Sequence, residues 1–506
     1  MNFYSLIEDT VREYPKNVAV KLPDNTRITY EELSRQVSRY VNALTELEVP
    51  RGAKIIAQVE KSLPSLYLYL ACLKAGFVFV PLNTAYRSEE LKYFIEDAKP
   101  ALVVVDSANL LMVSDLVDAS GNAHTRAISG SQPGALDTVA QTMADTSPVA
   151  SVDEDDVATI IYTSGTTGRS KGAMVSHRNL ISNVRSLTKL WAFTDTDTLI
   201  HALPIFHVHG LFVANHCALT TGATMIWLSK FEEAKVIDAL GSGTVMMGVP
   251  TFYTRLLAMT AFTAEVCRSM RLFISGSAPL LAETHESFEA RVGHRILERY
   301  GMSEAGMITS NPYEGIRKPG TVGKPLPDVE LRLVGDDGEA CPPGEKGHIQ
   351  IKGPNVFLGY LNLPDKTRQE FTEDGWFKTG DIGELDDDQY VSIVGRSKDL
   401  IITGGYNVYP KEIEAVIDED ERVVESAVFG IADPDFGEAV TAAVVLVDGA
   451  LFDQGAFIVG LKERLASYKV PKEIHVVPAL PRNAMGKVQK SLLRDTFQSS
   501  EQVNKL

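Results

Sequence analysis

The 506-residue sequence predicts an α/β protein with two domains, and three observations favour that class. Helical and strand-like hydrophobic periods alternate over most of the chain, which is typical of α/β folds. Short apolar runs such as Phe77–Leu82 and Ala101–Val105 are bounded by turn residues, as strands buried on both faces usually are. After about residue 323 the pattern changes to short strands separated by Gly and Pro, which indicates a small β region.

Local signals predict the first elements along the chain. Thr29 is expected to cap a helix, because Glu32 follows three residues later and can complete a capping box. The apolar run Leu66–Ala75 is predicted to be a helix that ends at Gly76. The stretch Gly121–Pro148 is rich in Ser, Gly, Ala and Asp, so we expect a loose surface segment there.

The C-terminal part of the chain has its own pattern of strands and helices. Val423–Gly430 and Ala439–Val447 are predicted strands flanking helices, enough for a compact domain of about 110 residues. The polar run Gly395–Asp399 precedes them, and we place the domain boundary at Lys398. The expected domains are therefore residues 1–397 and 398–506.

Composition and charge exclude several classes of function. The formal net charge of −17 disfavours a nucleic-acid-binding protein. No stretch approaches the roughly 20 apolar residues of a membrane helix, and acidic Glu8 and Asp9 stand where an export signal would be basic or apolar. The four cysteines are too far apart for a CxxC pair or a zinc ribbon, so we expect reduced thiols. These features predict a cytoplasmic enzyme that does not bind membranes.

The strongest motif is the run Tyr162–Gly172, which reads YTSGTTGRSKG and follows an apolar strand. Its glycines expose backbone N–H groups, and its hydroxyls and Lys171 add further hydrogen-bond donors. No bulky side chain would obstruct a phosphate, so the run suits a polyphosphate-binding loop. The spacing differs from the Walker A pattern, because only two residues separate Gly168 from Lys171 and no Ser or Thr follows the lysine.

The order of these residues resembles the phosphate-binding signature of the adenylate-forming superfamily, which includes acyl-CoA synthetases, luciferases and adenylation domains of peptide synthetases. The resemblance extends from about residue 10 to residue 495. It implies a large N-terminal domain of stacked α/β sheets with a β-barrel-like region, and a small, mobile C-terminal α+β domain hinged at Lys398. It also implies ATP-binding roles for Thr163, Ser164, Gly165, Thr166, Thr167, Gly168 and Lys171.

Further motifs carry the resemblance through the ATP site. In Arg299–Glu304, Tyr300 would stack on adenine, Ser303 would contact the α-phosphate and Glu304 would help to bind Mg²⁺. In the motif WFKTGD, Asp381 would accept both ribose hydroxyls, and Arg396 would assist at the ribose or phosphate. The run GSAP resembles the segment that walls the adenine and acyl pockets, and it contains Ser277 and Ala278.

Two C-terminal motifs imply the chemistry. Lys487, in PRNAMGK, matches the catalytic lysine that bridges the attacking carboxylate and the ATP phosphates. Gly404 and Gly405 resemble the loop past which pantetheine reaches the acyl-adenylate, so CoA is the expected thiol substrate. The family alternates between these two motifs by rotating the C-terminal domain, with Lys398 at the hinge. Lysine-acylating and deacylating enzymes acting on Lys487 are candidate protein partners.

The acid that is activated is predicted from three residues. In PIFHVHG, His207 would approach the reacting carboxylate. Arg255 and Arg299 flank segments that build the acyl site, and an arginine there is costly unless the substrate supplies a second anion. A dicarboxylate supplies one, and Ser277 would help to bind it. The alternative is that either arginine pairs with a protein carboxylate such as Glu298.

Whole motifs resemble those of the malonyl-CoA synthetases within the superfamily: residues 201–207, 270–280, 309–313, 352–357 and 404–412. The resemblance implies AMP-forming ligation of malonate to CoA. Ala305–Ile308, where relatives differ, leaves methylmalonate or another short acid open. A second alternative is a stand-alone enzyme that loads a carrier protein, which is disfavoured because the chain ends about 20 residues after Lys487. A third is a nucleotide-binding protein without catalysis, which is disfavoured because the motif residues are all present.

Overall fold

The computed structural model describes residues 1–120, 126–129, 135–163, 170–403, 406–433, 436–465, 467–483 and 486–503. The chain divides into two compact units. Unit 1 comprises Met1–Glu330 and Ile351–Phe377, and unit 2 comprises Leu331–Gln350 and Lys378–Leu506. The sequence boundary at Lys398 falls inside unit 2, in the short 3₁₀ turn Ser397–Asp399, and stays a prediction.

The strands of the described residues, numbered along the chain, are β1 (Val18–Lys21), β2 (Arg27–Thr29), β3 (Lys54–Gln58), β4 (Val78–Pro81), β5 (Leu102–Val105), β6 (Arg126–Ser129), β7 (Val157–Thr163), β8 (Lys171–Ser176), β9 (Thr198–His201), β10 (Thr224–Trp227), β11 (Val245–Gly248), β12 (Leu272–Ser275), β13 (Leu297–Met302), β14 (Gly306–Ser310), β15 (Lys324–Pro325), β16 (Glu330–Val334), β17 (Lys346–Lys352), β18 (Gly359–Tyr360), β19 (Phe377–Leu385), β20 (Val391–Arg396), β21 (Ile401–Thr403), β22 (Tyr406–Val408), β23 (Val423–Asp433), β24 (Gly437–Leu446) and β25 (Glu473–Val476).

The α-helices of the same residues are α1 (Tyr4–Glu13), α2 (Tyr30–Glu46), α3 (Leu63–Ala75), α4 (Ser88–Ala98), α5 (Leu110–Ala119), α6 (Leu136–Gln141), α7 (His177–Leu190), α8 (Asn215–Leu219), α9 (Glu233–Leu240), α10 (Pro250–Leu257), α11 (Ala282–Val292), α12 (Pro364–Glu370), α13 (Pro410–Ile417), α14 (Gln454–Arg464) and α15 (Lys490–Val503). A π-helical segment, His209–Ala214, leads into α8. None of the described helices is long and apolar enough to cross a membrane.

Two large sheets organise unit 1. One has the strand order β15-β14-β13-β12-β11-β9-β10-β1-β2, and the other has the order β18-β8-β7-β4-β3-β5-β6. Their central strands are parallel and apolar, and every residue of β4, β5, β11 and β12 is buried. Strands buried on both faces need helices on either side, which explains why short apolar runs alternate with helices in the sequence. The predicted α/β class is confirmed.

Unit 2 contains smaller sheets. Strands β16, β17, β19 and β20 form a four-stranded sheet, which occupies the predicted β-barrel-like region. In the C-terminal part, β22, β21, β24 and β23 are neighbours in that order, and β25 pairs in parallel with β24. The long hairpin of β23 and β24 is covered by α13 and α15, which gives the expected small α+β architecture.

The predicted capping and termination signals are confirmed. The Thr29 side chain accepts from Glu32 N, and the Glu32 carboxylate accepts from Thr29 N at 2.8 Å, so the capping box is complete. Helix α3 ends at Gly76, whose φ of 74° is readily adopted only by glycine. The expectation of a loose segment over Gly121–Pro148 is wrong where α6 lies, with Leu136 buried, and where β6 pairs with β5. Residues 121–125 and 130–134 of that segment lie outside the described residues.

Candidate active site

The predicted phosphate-binding loop connects the adjacent antiparallel strands β7 and β8. Thr163 ends β7 and is paired with Lys171, which begins β8. The intervening Ser164, Gly165, Thr166, Thr167 and Gly168 lie outside the described residues, so their ATP-binding roles stay predictions. A glycine-rich connection between neighbouring strands can present successive backbone N–H groups at one end of a sheet, which would suit an anionic ligand.

Side chains at this end of unit 1 converge on Glu304. Glu304 occupies the turn between β13 and β14 and is only 7% exposed. Its Oε1 accepts a hydrogen bond from Tyr360 Oη at 3.0 Å and lies 3.5 Å from Thr163 Oγ1. The Lys171 ammonium lies 4.2 Å from the centroid of the Tyr360 ring. The structure therefore brings Thr163, Lys171 and Glu304 together, with Tyr360 as a shared neighbour.

A second cluster surrounds Arg299, on β13. Arg299 is 3% exposed, and its Nε and Nη2 are buried without a hydrogen-bond partner among the described residues. The guanidinium packs against the backbone of Gly276, where an added Cβ would lie 2.4 Å from Arg299 Cζ. Burial lowers the pKa of Arg299 to about 10, so the group keeps its charge at neutral pH.

Polar groups with unused hydrogen-bonding capacity lie in the segments around Arg299. Ser277 follows β12 with a φ of 72°, a strained conformation for a residue with a side chain, and its Oγ lies 3.3 Å from His209 Nδ1. His209 Nε2 and Ser275 Oγ are both buried and lack partners among the described residues. Burial, then Arg299 and then His201 hold the pKa of His209 well below its usual value. Buried polar atoms that the protein leaves unsatisfied indicate a place for a polar ligand.

His207 lies two residues before His209. Its Nε2 is buried and has no hydrogen-bond partner among the described residues. Burial lowers the pKa of His207 to about 4, so its imidazole is neutral at neutral pH. A neutral imidazole can donate one hydrogen bond to a carboxylate oxygen without adding a charge.

Arg255 is placed differently from Arg299. It lies on α10, whose buried residues are Tyr253 and Leu256, and its side chain is 55% exposed. Its Nε lies 2.5 Å from Glu233 Oε1, so Arg255 pairs with a protein carboxylate, as the alternative predicts, although the partner is Glu233 and not Glu298. Arg255 is therefore not a buried cation in this structure, and a contact with substrate stays a prediction for it.

The other predicted residues of unit 1 each adjoin a residue of these clusters in the sequence: Tyr300, Ser303 and Ala278. Tyr300 is half-buried on β13, beside a bulge at Tyr300–Gly301 that shifts the register of the pairing with β14. Ser303 lines a small cavity bounded by α7 and the π-helical segment. Ala278 is half-buried in the turn after Ser277. The described contacts do not test their predicted ATP-binding roles.

The remaining predicted residues lie in unit 2. Asp381, 3% exposed, forms an ion pair with Arg396 across the β19–β20 hairpin, with 2.9 Å between Arg396 Nε and Asp381 Oδ1. Burial first, and then Arg396, lowers the pKa of Lys487 to about 8, while Asp381 acts in the opposite direction. Lys398 also lies within electrostatic reach of Lys487, whereas Gly404 and Gly405 lie outside the described residues.

Two residues of the site were given no role by the sequence. Tyr360 belongs to a two-residue strand outside the recognised motifs, and Ser275 lies inside the run 270–280 but at a position to which the resemblance assigns no function. Their roles depend on which strands become neighbours. A single sequence does not reveal that arrangement unless a motif marks it.

The fold and this arrangement of side chains define an adenylate-forming enzyme. The chain belongs to the AMP-binding enzyme family, which matches residues 7–361, and the AMP-binding enzyme C-terminal domain matches residues 412–487. It is 37% identical over 487 residues to the malonate--CoA ligase of Arabidopsis thaliana, covering 89% of this chain and 79% of that protein. It is 36% identical to a feruloyl-CoA synthase of an Amycolatopsis species, and the match covers 93% of this chain and 94% of that protein. The crystal structure of ATP-bound MatB from Rhodopseudomonas palustris is 48% identical, with a TM-score of 0.95 over 98% of this chain and 99% of that one.

Proposed function

We propose that this enzyme ligates malonate to CoA with ATP, through a malonyl-adenylate, and releases AMP and pyrophosphate. The observation that carries the choice of acid is the buried Arg299 guanidinium, whose Nε and Nη2 lack partners among the described residues. A desolvated cation whose hydrogen-bond donors lack acceptors is costly unless an anion accompanies it. Malonate offers a second carboxylate of suitable size, and the guanidinium can bind it through two parallel hydrogen bonds.

The remaining groups of the cluster suit the other end of the acid. A neutral His207 can donate a hydrogen bond to the reacting carboxylate and keep its oxygen oriented toward the α-phosphorus. In the first half-reaction that oxygen forms a bond to the α-phosphorus, and the bond to the departing pyrophosphate breaks. Lys487 would stabilise the negative charge that accumulates in this step.

The residues around Glu304 fit a magnesium ion that arrives with ATP. Among the described residues no group of three or more His, Cys, Asp or Glu side chains could bind a metal by itself. Mg²⁺ commonly binds to one or two carboxylates plus substrate phosphates, and the buried Glu304 supplies such a carboxylate beside the phosphate-binding loop. The ion would neutralise phosphate charge, while Tyr360 keeps Glu304 oriented through its hydrogen bond.

The second half-reaction is expected to use CoA. Its thiolate would form a bond to the acyl carbon, and the carbon–oxygen bond to AMP would break. Lys487 serves the first step and the loop at Gly404 and Gly405 serves the second, so we infer that the C-terminal domain rotates between them at Lys398. A cytoplasmic location is part of the same proposal.

The likeness to a feruloyl-CoA synthase provides the contrasting hypothesis. Ferulate has an apolar aromatic ring in place of a second carboxylate, and the buried Arg299 guanidinium would disfavour that ring. The two hypotheses therefore differ in one measurable property, the preference for a second negative charge on the acid. Methylmalonate keeps that charge, so it stays an alternative substrate. Loading of a separate carrier protein instead of CoA also stays open.

The experiment that tests the proposal is a pyrophosphate-release assay with the purified enzyme and ATP. The acids are malonate, methylmalonate, succinate, acetate, butyrate, coumarate and ferulate, each compared by kcat/KM. We expect malonate to be used best, with the monocarboxylates far behind. A higher kcat/KM for ferulate or butyrate would refute the proposed substrate. CoA and a carrier protein are then compared as acceptors with the preferred acid.

A further inference from the structure

A buried lysine outside the recognised motifs contacts the segment that carries the acyl-site histidines. Lys61 lies between β3 and α3 and is 9% exposed. Its Nζ has three hydrogen-bonding neighbours: His201 Nδ1 at 2.8 Å, His201 O at 2.8 Å and Leu203 O at 2.9 Å. It also lies 4.3 Å from the centroid of the Trp227 ring. The carbonyl groups and the Trp227 ring are electrically neutral. The His201 imidazole is neutral as well, because burial holds its pKa well below the usual value.

The hydrogen bonds define the protonation states of both side chains. The other ring nitrogen of His201, Nε2, lies 3.0 Å from Gly210 O, and a carbonyl oxygen can only accept. Nε2 therefore carries the proton of the neutral imidazole, and Nδ1 must accept. Lys61 then has three acceptors and must donate three N–H groups, so it is an ammonium although burial lowers its pKa.

Lys61 and His201 together fix both ends of the loop that runs from Leu203 to Gly210. Lys61 binds the carbonyl of Leu203, and His201 binds the carbonyl of Gly210. Gly210 is itself packed so closely that an added Cβ would lie 2.0 Å from Pro204 O. The residues between these fixed points include His207 and His209, which belong to the acyl-side cluster.

We propose that Lys61 is a positioning residue that acts through His201 to hold the loop of His207 and His209 in register with Arg299. The inference rests on the proposed function, because it assumes that this loop contacts the acid. The proposed role of Lys61 involves no contact with substrate. Its removal should therefore weaken use of the acid more than use of ATP, since the phosphate-binding cluster at Glu304 has no described contact with Lys61.

The test compares Lys61→Met with a matched control, Lys74→Met. Lys74 is 2% exposed, donates to Ser38 Oγ at 2.9 Å and lies 5.2 Å from the Tyr4 ring centroid, so it resembles Lys61 in burial and aromatic contact. We expect Lys61→Met to raise the KM for malonate by about 10- to 100-fold, because small misplacements of binding groups have effects of that size. The KM for ATP should change less than about threefold in both variants. Equal changes in the malonate KM for the two variants would overturn the proposal.

A second pair of variants keeps the test decisive if Lys61→Met does not fold. In His201→Gln the amide can still accept from Lys61 and donate to Gly210 O, whereas His201→Phe can do neither. We expect the KM for malonate to stay within about fivefold of the wild type in His201→Gln and to rise by about 10-fold or more in His201→Phe. Equal KM values for malonate in the two variants would contradict a hydrogen-bonded link through His201.

The double variant Lys61→Met/His201→Phe tests whether the two residues act as one unit. If they do, its malonate KM should match the larger single effect, whereas independent roles would multiply the two effects. All variants are also assayed with the acid that the wild type uses best in the pyrophosphate-release assay. A wrong proposed function then appears as a wild-type preference for another acid, and a wrong role for Lys61 appears as an unchanged KM for that preferred acid.

Discussion

At the scale of single residues, two desolvated cations have different titration properties. Burial lowers the pKa of Lys487 to about 8 and that of Arg299 to about 10. Arg299 therefore stays charged throughout the physiological range, as a residue that binds a fixed anion must. Lys487 comes close to titrating within that range, and in the proposed mechanism its charge stabilises the step that expels pyrophosphate.

The first prediction concerns the pH dependence of adenylation. Because Lys487 is active as the ammonium, kcat/KM for malonate should fall as pH rises through about 8, with the loss of one proton. In Lys487→Arg the cation does not titrate below about pH 12, so any residual activity should lack this fall. The measurement is malonate-dependent pyrophosphate release on both sides of pH 8. A wild-type profile that is flat across this range would contradict the assigned role of Lys487.

The second prediction separates the two half-reactions by removing the same side chain. Lys487→Ala should reduce malonyl-adenylate formation by roughly 10² to 10⁴, the usual cost of losing an electrostatic stabiliser of the transition state. Thioester formation from supplied malonyl-adenylate and CoA should be nearly unchanged. Losses of equal size in both assays would rule out a role confined to adenylation. Acylation of Lys487 by a modifying enzyme would remove the same charge, and it stays a prediction.

At the scale of an element, the turn after β12 controls where the Arg299 guanidinium lies. Gly276 has no side chain, and the guanidinium occupies the space that a Cβ would fill. Ser277 follows with a positive φ, so the backbone turns sharply there and brings its hydroxyl toward His209. The conformation of this short turn thus sets the position of the cation on the neighbouring strand.

The third prediction is that Gly276→Ala impairs malonate use without unfolding the protein. The new Cβ would lie 2.4 Å from Arg299 Cζ, and the flexible end of the arginine can move more easily than the backbone. We expect kcat/KM for malonate to fall by about 10- to 100-fold. Gly460→Ala on α14 serves as the control, because a Cβ there meets no described heavy atom within 4 Å apart from its chain neighbours and the backbone of its own helix. A wild-type kcat/KM in Gly276→Ala would show that the guanidinium position is not critical.

Much of the element structure followed from local signals, and the exceptions have physical causes. The capping box at Thr29 and the glycine that ends α3 are short-range interactions, so a sequence contains them completely. The sequence pattern does not reveal helix α6, because six residues are too few to show a helical repeat of hydrophobic residues. The helix depends on the packing of Leu136 and Ala140 against the core near α2. The buried Arg299 was expected from its motif, but the exposure of Arg255 depends on the orientation of α10.

At the scale of the whole molecule, the proposed two-step catalysis implies a movable C-terminal domain. The residues next to the predicted hinge each have a described contact within unit 2. Ser397 Oγ donates to Gly380 O at 3.2 Å, and Asp399 Oδ1 accepts from Arg494 Nη2 at 2.7 Å. Lys398 lies between them with an exposed side chain. A short segment fixed on both sides concentrates backbone rotation in few residues.

The fourth prediction tests the hinge by fixing its backbone. Lys398→Pro restricts φ at this position and disfavours helical conformations for Ser397. We expect malonyl-adenylate formation to survive and thioester formation to fall by at least about 10-fold, since only one domain orientation would stay accessible. Lys398→Ala is the control, because it removes the side chain but leaves the backbone free. Normal overall turnover in the proline variant would mean that rotation occurs elsewhere in the chain.

We propose that buried Arg299 selects an acid with a second negative charge, and kcat/KM values of two arginine variants measure that selection. Breaking a buried charge pair costs about 3–5 kcal/mol, or roughly two to four orders of magnitude in kcat/KM. Arg299→Met should therefore lower kcat/KM for malonate by such a factor, leave the KM for ATP nearly unchanged and bring malonate and butyrate close to equal use. Arg255→Met, measured in parallel, reports whether the exposed arginine contributes. If both variants keep the wild-type preference for malonate over butyrate, the dicarboxylate site at Arg299 is wrong.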